Sequence, residues 1–236
     1  MISTRHARGV LAGSEDFDGN YGQFCRADVE TETAWFPVQT THTTNTSSET
    51  VSTIRFPMHP FLGIMDVTTA SNQRPSSIPP ADYGGNIDLR NLTVESTLFL
   101  PVQIEGAGLY IGNPHFTQGN GEVSLTALEA SLRATLRVQV VPTAEAKRLF
   151  GRTDLPFAIS HGTLIPMGFS STLDDALSQS VEHAIDMITA MFEMPRQQVY
   201  LLLSAAIDFD ATQAVDITKG VHGLIDLSMF QQLPDY

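Results

Sequence analysis

The 236-residue sequence contains little cysteine, few basic residues and no long apolar run. Its one cysteine, Cys25, excludes an internal disulfide and favours a reducing compartment. The 13 Lys and Arg residues stand against 26 Asp and Glu residues, and the formal net charge of -13 argues against a nucleic-acid surface, which needs clustered basic side chains. No stretch approaches the roughly twenty apolar residues of a membrane span, and the first residues lack the apolar run of a signal peptide. The sequence predicts a soluble, cytoplasmic protein without nucleic-acid or membrane partners.

Alternation of apolar and polar residues is clearest between residues 84 and 141. In residues 130–141, Leu132, Leu136 and Val140 belong to an apolar series that alternates with polar side chains, and this period of two predicts a strand with one buried and one solvent-facing side. Residues 96–104 form a second predicted strand, which Pro101 confines to a sheet edge or a bulge because proline has no backbone donor. The glycine-rich turn at residues 112–122 lies between them, and there the backbone can approach a ligand closely.

The residues before position 84 give weaker signals. Residues 1–23 lack sustained periodicity and are predicted to be a loop, whereas residues 24–37 are predicted to form two short strands joined by a turn. Residues 38–53 consist largely of Thr, Ser, Asn and Glu, which bury too little apolar surface to order themselves, so a mobile loop is expected. The nearly continuous apolar run within residues 54–67 predicts a strand buried on both faces.

Helical periodicity is strongest in the last third of the chain. Residues 172–192 carry one apolar stripe, Ser171 or Thr172 can cap this helix, and Pro195 suits the first turn of a second helix that ends at residue 206. Strands followed by this helix pair, at about residues 172–206, predict an α+β, β-dominated fold with a sandwich- or barrel-like mixed sheet core. We divide the chain into a loop-rich segment with short strands, residues 1–53, and a β-rich domain, residues 54–236.

Polar side chains between the predicted strands are the candidates for chemistry: His59, Asn86, Asp88, His115, Gln118, Asn120 and Glu122. Carboxylate oxygens together with a neutral imidazole are ordinary ligands for zinc and similar divalent ions. Such an ion polarises a carbonyl and lowers the pKa of bound water, as amide hydrolysis requires. The spacing alone gives weak support, since the sequence contains no HExxH, CxxC or GxSxG motif and no phosphate-binding loop.

Ordinary structural roles compete with these functional ones. His115 can be a turn histidine bonded to local backbone, and Asp88 can be a turn-forming residue after Gly-Gly-Asn. Glu129 is interpreted as a solvated or arginine-paired residue, because the alternation places it on the polar side of its strand. Glu122, directly after Gly-Asn-Gly, is harder to explain as a surface residue.

Six segments of the chain carry a family resemblance: HPFLGIMDV, SSIPP, GGNIDLRNL, TLFLPVQIEGA, GNPHFTQGNGEVSLTALEASLRATLRV and TQAVDITKGVHGLI. Together, and in this order, they resemble the acetamidase/formamidase family over most of residues 55–230. The resemblance implies a β-rich fold and the hydrolysis of small linear amides, such as formamide or acetamide, to a carboxylate and ammonia. It also implies a divalent metal, for which zinc is the first expectation.

The resemblance further implies a polar pocket. By position, its members are Asn86, the metal ligands His59, Asp88 and His115, the catalytic residues Gln118 and Glu122, and the late additions Asp216 and His222. In this pocket Glu122 would be a further ligand or the base that activates water.

The sequence also departs from the family pattern. Asn120 stands where family members usually have Asp, and Asp66 stands where a glycine is usual. Family members typically carry a further strand-rich stretch before the part matched here. A shortened, non-catalytic member that keeps the fold, with metal or partner binding, is therefore the alternative. An apolar face left exposed by the missing stretch would favour a homo-oligomer.

Overall fold

The structure, a computed structural model, describes residues 6–12, 22–38 and 52–230. The strands in these ranges are β1 (His6–Ala12), β2 (Gly22–Asp28), β3 (Thr33–Val38), β4 (Ser52–Pro57), β5 (Phe61–Asp66), β6 (Gly84–Asn86), β7 (Thr97–Phe99), β8 (Tyr110–Thr117), β9 (Leu128–Glu129), β10 (Phe157–Ser160), β11 (Thr163–Ser170), β12 (Asp208–Gln213) and β13 (Lys219–Asp226). The helices are α1 (Thr143–Phe150), α2 (Leu173–Phe192) and α3 (Arg196–Ala206), followed by a 3-10 turn at Leu227–Met229. Within the same ranges, no helix combines the length and hydropathy that a membrane crossing needs.

The described strands form two sheets. An eight-stranded sheet has the order β4-β3-β2-β1-β9-β8-β5-β6, and a five-stranded sheet has the order β12-β13-β11-β10-β7. The strands that pair within each sheet run antiparallel, and the helix pair α2 and α3 follows the strands of the central region. The predicted α+β, β-dominated fold with a C-terminal helix pair is confirmed.

Helix α2 begins and packs as its sequence predicts. The Thr172 hydroxyl accepts the backbone N–H of Asp175 at 3.2 Å, which satisfies one of the free donors at the helix start. Its apolar stripe, which includes Ile185 and Ile188, is buried in a core shared with Leu164 of the five-stranded sheet. Helix α3 starts directly after Pro195, as predicted. These local signals were sufficient because a helix satisfies its own backbone groups.

The prediction that residues 1–23 are a loop is wrong for the part that the structure describes. Residues 6–12 form β1, which pairs with β2 along its length and with Glu129 of β9 at Val10. Strands pair through hydrogen bonds between backbone groups, so a strand can form without clear side-chain alternation. Most of the predicted mobile loop, residues 39–51, lies outside the described residues. The two strands predicted within residues 24–37 are confirmed as β2 and β3.

The prediction of a long strand over residues 130–141 is also wrong. The ladder with β8 ends at β9, and past it Leu136, Val138 and Val140 are 44%, 67% and 81% exposed. Alternation shows that one side of a segment can be buried but does not supply a neighbouring strand, and none of the described strands pairs with this segment. The strand predicted at residues 96–104 shortens to β7, which lies at a sheet edge as Pro101 predicted.

The cores position the residues that carry candidate chemistry. Ile87 and Leu89 are fully buried in a cluster against the five-stranded sheet, so Asp88 between them is held on both sides. Phe116 and Leu128 belong to a separate cluster under the eight-stranded sheet. In β5, Phe61 is buried whereas most of its apolar neighbours are half-buried, so the expected burial on both faces is incomplete. The division at residue 53 stays a prediction.

Candidate metal centre

Asp88, His115 and Glu122 converge at one buried point. Each offers a possible ligand atom, and these atoms lie within 4.8 Å of one another. The three residues are 1%, 0% and 7% exposed. His115 comes from β8, Asp88 from the segment after β6, and Glu122 from the turn after β8. We call these three residues the ligand group.

Two members of the ligand group adopt a left-handed backbone conformation. The φ angles are 51° at Asp88 and 44° at Glu122, a region that side chains with a Cβ rarely enter. The Asp88 N–H donates to the Gly63 carbonyl at 3.1 Å, and the Glu122 N–H donates to the Gly119 carbonyl at 3.2 Å. Gly121 pairs with the segment around Thr212, to whose carbonyl it donates at 3.1 Å. The turn is therefore anchored to β12, and backbone conformations of this kind persist where the surroundings fix them, often at functional sites.

Gly63 of β5 leaves the space that the ligand group occupies. A Cβ at this position would overlap Asp88 Oδ1 and Asn113 Oδ1 and would lie 3.0 Å from His115 Cε1. Phe61, two residues earlier, packs edge-on against the His115 ring with a centroid distance of 4.9 Å. A glycine and an aromatic ring on the same strand thus set the position of the imidazole.

Several polar atoms of the ligand group are buried without a hydrogen-bond partner. Both carboxylate oxygens of Asp88 and both ring nitrogens of His115 are buried without a hydrogen-bond partner. Burial, followed by the charge of Glu122, raises the pKa of Asp88 far above its usual range, and burial followed by Asp216 raises the pKa of Glu122. Buried carboxylates in this situation need a proton or a cation. Two carboxylates and an imidazole with free acceptor atoms fit a divalent ion.

Asp216 lies at the edge of the ligand group. Its Oδ2 accepts a hydrogen bond from Asn86 Nδ2 at 3.0 Å, and its backbone N–H donates to Gln213 Oε1 at 3.0 Å. It is 5% exposed, and its contact with Asp88 contributes to the raised pKa of that carboxyl group. Of the two late additions, Asp216 is the one that the structure brings to the group.

Gln118 connects the group to a cavity. Its Nε2 donates to the Asp88 carbonyl at 2.8 Å and to the Thr212 carbonyl at 3.4 Å, while its Oε1 is buried without a partner. The cavity has a volume of about 300 Å³, and its walls include Arg90, His59 and the apolar side chains of Phe56 and Leu128. Gln118 therefore touches both the Asp88 loop and this cavity.

His59 and His222 are not brought into the ligand group. His59 is exposed, and its backbone N–H donates to the Phe116 carbonyl at 2.9 Å, which leaves its side chain at the cavity wall. His222 is fully buried in β13 with its Nδ1 2.8 Å from the Thr212 hydroxyl, and burial lowers its pKa to about 4. Both histidines flank the candidate site without offering a ligand atom to it.

Asn120 and Glu129 differ from their sequence interpretation. Asn120 is exposed, and its Nδ2 donates to Asp210 Oδ2 at 2.9 Å, so the exchange of the family's usual Asp removes no carboxylate from the ligand group. Glu129 is half-buried, and its partners among the described residues are not arginines. It accepts from Asn113 Nδ2 at 3.2 Å and lies 3.3 Å from His115 Nε2. The contact of Glu129 with His115 follows from the pairing of the two residues between β8 and β9, so it can be predicted only when the sheet register is known.

The fold and the site together define a class: a β-dominated α+β protein with a buried group of two carboxylates and an imidazole suited to a divalent cation. Comparison with known proteins identifies the family. The acetamidase/formamidase family matches residues 69–232, and the chain belongs to this family.

Individual relatives match over shorter segments. The chain is 46% identical to a formamidase of Methylophilus methylotrophus over 48 residues, which are 20% of this chain and 12% of the relative. It is 44% identical to an acetamidase of Mycolicibacterium smegmatis over 54 residues, 23% of this chain and 13% of the relative. The matched segments thus span less than a fifth of either relative.

The fold likeness extends further than the sequence likeness. The crystal structure of an acetamidase from Bacillus halodurans superposes with a TM-score of 0.76 over 97% of this chain and 72% of that one, at 22% identity. At this level of identity the likeness establishes the fold.

Proposed function

We propose that this protein hydrolyses small linear amides, of the formamide or acetamide type, to a carboxylate and ammonia. The observation that carries the proposal is the buried ligand group of Asp88, His115 and Glu122 in a member of the acetamidase/formamidase family. The names of the two relatives, a formamidase and an acetamidase, support this substrate class.

Asp88 and His115 would hold a divalent ion, with zinc as our first choice, and Glu122 would be a third ligand or the base. When bound, such an ion supplies a Lewis acid for the amide carbonyl and acidifies water. The fit rests on acceptor atoms that are buried and have no hydrogen-bond donor, and on a donor set that zinc accepts.

Side chains of the protein would carry out proton transfer and orient the substrate. As the base, the Glu122 carboxylate takes a proton from the attacking water and returns it to the amide nitrogen, so that the C–N bond breaks and ammonia leaves. Gln118 lines the cavity and has a free Oε1, which can accept an N–H of the substrate amide and orient it. The cavity of about 300 Å³ lies at the lower end of small-molecule sites, in keeping with a small amide.

The first experiment measures ammonia release from formamide and acetamide by the purified protein, with added zinc and with a chelator. Release that the chelator abolishes and zinc restores is the expected result. His115→Ala and Asp88→Asn are each expected to lower bound metal in elemental analysis while far-UV circular dichroism stays unchanged. Full metal content in both variants would rule out the ligand assignment.

A non-catalytic family member that keeps the fold is the second candidate, and one observation favours it. The exposed Leu136, Val138 and Val140 lie on an extended segment without a partner among the described strands, in a chain that spans part of its relatives. Metal binding without ammonia release from any small amide would support this candidate. The same exposed side chains support our expectation of a homo-oligomer, which light scattering tests. Cytoplasmic location and the absence of nucleic-acid partners stay predictions.

A further inference from the structure

Glu129 lies directly opposite His115 in the antiparallel ladder between β8 and β9. Opposite residues of such a ladder project from the same face of the sheet. Glu129 Oε1 lies 3.3 Å from His115 Nε2, whereas the other ring nitrogen, Nδ1, lies 3.9 Å from Asp88 Oδ1. The imidazole therefore spans the gap between a carboxylate of the sheet and the ligand group.

The carboxylate of Glu129 is fixed by donors other than His115. Its Oε2 accepts from Asn113 Nδ2 at 3.2 Å, and its Oε1 accepts from the Thr126 hydroxyl at 3.4 Å and from the Ala127 N–H at 3.3 Å. The Glu129 side chain is 34% exposed whereas that of His115 is fully buried. Both Glu129 oxygens already accept hydrogen bonds from other donors, so Glu129 presents an acceptor toward His115. His115 Nε2 lies 3.3 Å away and has no hydrogen-bond partner in this geometry, so a hydrogen shared between the two residues comes from His115.

We propose that Glu129 is the positioning residue of His115. It accepts the Nε2 hydrogen, fixes the neutral ring in that tautomer, and leaves the electron pair of Nδ1 on the side of Asp88. The opposite tautomer would turn the Nε2 electron pair toward the Glu129 carboxylate, where two acceptors would face each other. Histidines that bind metal ions commonly donate their second nitrogen to a carboxylate, which orients the ring and raises its basicity.

The tautomer can be read in metal-free protein with ¹⁵N-labelled histidine by long-range ¹H–¹⁵N correlation. The His115→Gln variant assigns the resonance by its disappearance. Glu129→Gln keeps a carbonyl at the Oε1 position, because Thr126 and Ala127 both donate there, whereas Glu129→Leu removes the acceptor. Glu105→Leu, at an exposed glutamate, is the matched control.

We expect a hydrogen on Nε2 of His115 in the unsubstituted protein and in Glu129→Gln, and a mixture of tautomers in Glu129→Leu. The metal part of the test rests on the proposed function: zinc affinity, measured by competition with a chromophoric chelator, should fall about 10- to 100-fold in Glu129→Leu and stay unchanged in Glu105→Leu.

A hydrogen on Nδ1 in the unsubstituted protein would overturn the proposal, as would a Glu129→Leu variant that keeps both tautomer and affinity. Should Glu129→Leu fail to fold, the unsubstituted protein and Glu129→Gln still decide the tautomer. Because the tautomer is read without metal or amide, a protein that hydrolyses no amide can still confirm the role of Glu129. Equally, the tautomer measurement can refute this role even if the protein is an active amidase.

Discussion

The five-stranded sheet and the eight-stranded sheet both bury polar side chains, but they give those side chains different partners. Beneath α2, the Ser180 hydroxyl donates to the Pro166 carbonyl, and His183 Nδ1 lies 3.1 Å from the Met167 carbonyl, an acceptor from β11. In the eight-stranded sheet, His115 and the carboxylate of nearby Asp88 are equally buried and face each other without hydrogen bonds. Ser180 and His183 thus contribute to fixing α2 on β11, whereas the side chains of Asp88 and His115 make no such bonds.

Two fully buried histidines, one in each region, illustrate this difference in partners. His183 packs edge-on against the Phe157 ring and lies at hydrogen-bond distance from the Met167 carbonyl, and burial is the largest cause of its lowered pKa. His115 has carboxylates on both sides, Asp88 at one ring nitrogen and Glu129 at the other. Burial alone therefore does not mark a functional histidine; close carboxylates at both ring nitrogens distinguish His115.

A methyl group added to a glycine in each region tests the comparison, and the larger loss of stability is expected in the five-stranded sheet. In Gly168→Ala, the new Cβ would overlap the Ala176 carbonyl and lie 2.5 Å from the Ser180 nitrogen, both backbone atoms of α2. The helix would have to shift, so we expect the free energy of unfolding to fall by about 3 kcal/mol or more in urea denaturation. Zinc binding by the folded protein should be retained.

Gly63→Ala is the matched variant in the other region. Here the new Cβ meets the side-chain oxygens of Asp88 and Asn113, which can rotate away, so we expect a smaller loss of about 1 kcal/mol. Zinc binding should be lost, because the rotation moves a ligand. Equal stability losses with zinc binding intact in both variants would remove the distinction between the two regions.

The second prediction concerns the pH dependence of stability in the five-stranded sheet. Burial lowers the pKa of His222 in the folded protein to about 4, below the value of 6.5 of an unperturbed histidine. The unfolded chain therefore binds the proton first, and the stabilisation that is fully present above pH 6.5 is lost as the pH falls toward 4. We expect a loss of about 3 kcal/mol from this residue across that window.

The comparison of the unsubstituted protein with His222→Gln isolates this contribution, because carboxyl groups elsewhere titrate in both. Urea denaturation at pH 7 and pH 4 gives the difference. A difference between the two proteins that does not change with pH would mean that His222 is not buried as a neutral group.

Local signals made some elements predictable from the sequence. Helix α2 follows from its apolar stripe and from Thr172, whose hydroxyl caps it as expected. Strand β1 could not be found in this way, because its formation depends on β2 and on Glu129, far along the chain. The exposed segment after β9 shows the opposite error. Its side chains alternate as in a strand, but it pairs with none of the described strands.

Some residues of the candidate site could be selected from the sequence, and others could not. Spacing left Asp88 and His115 undecided between turn residues and ligands, and the family resemblance selected them. The position of Glu129 needed the fold, because it depends on the register of β8 and β9. Asp216 was selected by the resemblance, and the structure places it at the edge of the ligand group, where it accepts a hydrogen bond from Asn86. His59 was selected by resemblance, yet its side chain lies at the cavity wall outside the ligand group.

The smallest expected effect concerns backbone strain next to the site. Ile217 follows Asp216, is 68% exposed and has a φ of 67°, an outlier for a β-branched residue. Ile217→Gly removes a left-handed penalty of about 1–2 kcal/mol but adds disorder to the unfolded chain, so we expect a net gain of about 0.5 kcal/mol. Glu193→Gly, at a φ of 53° after α2, is the matched change in the helical region and should give a similar gain. If Ile217→Gly destabilises the protein in urea denaturation while Glu193→Gly stabilises it, Ile217 makes contacts that outweigh its strain and contributes to holding Asp216 in place.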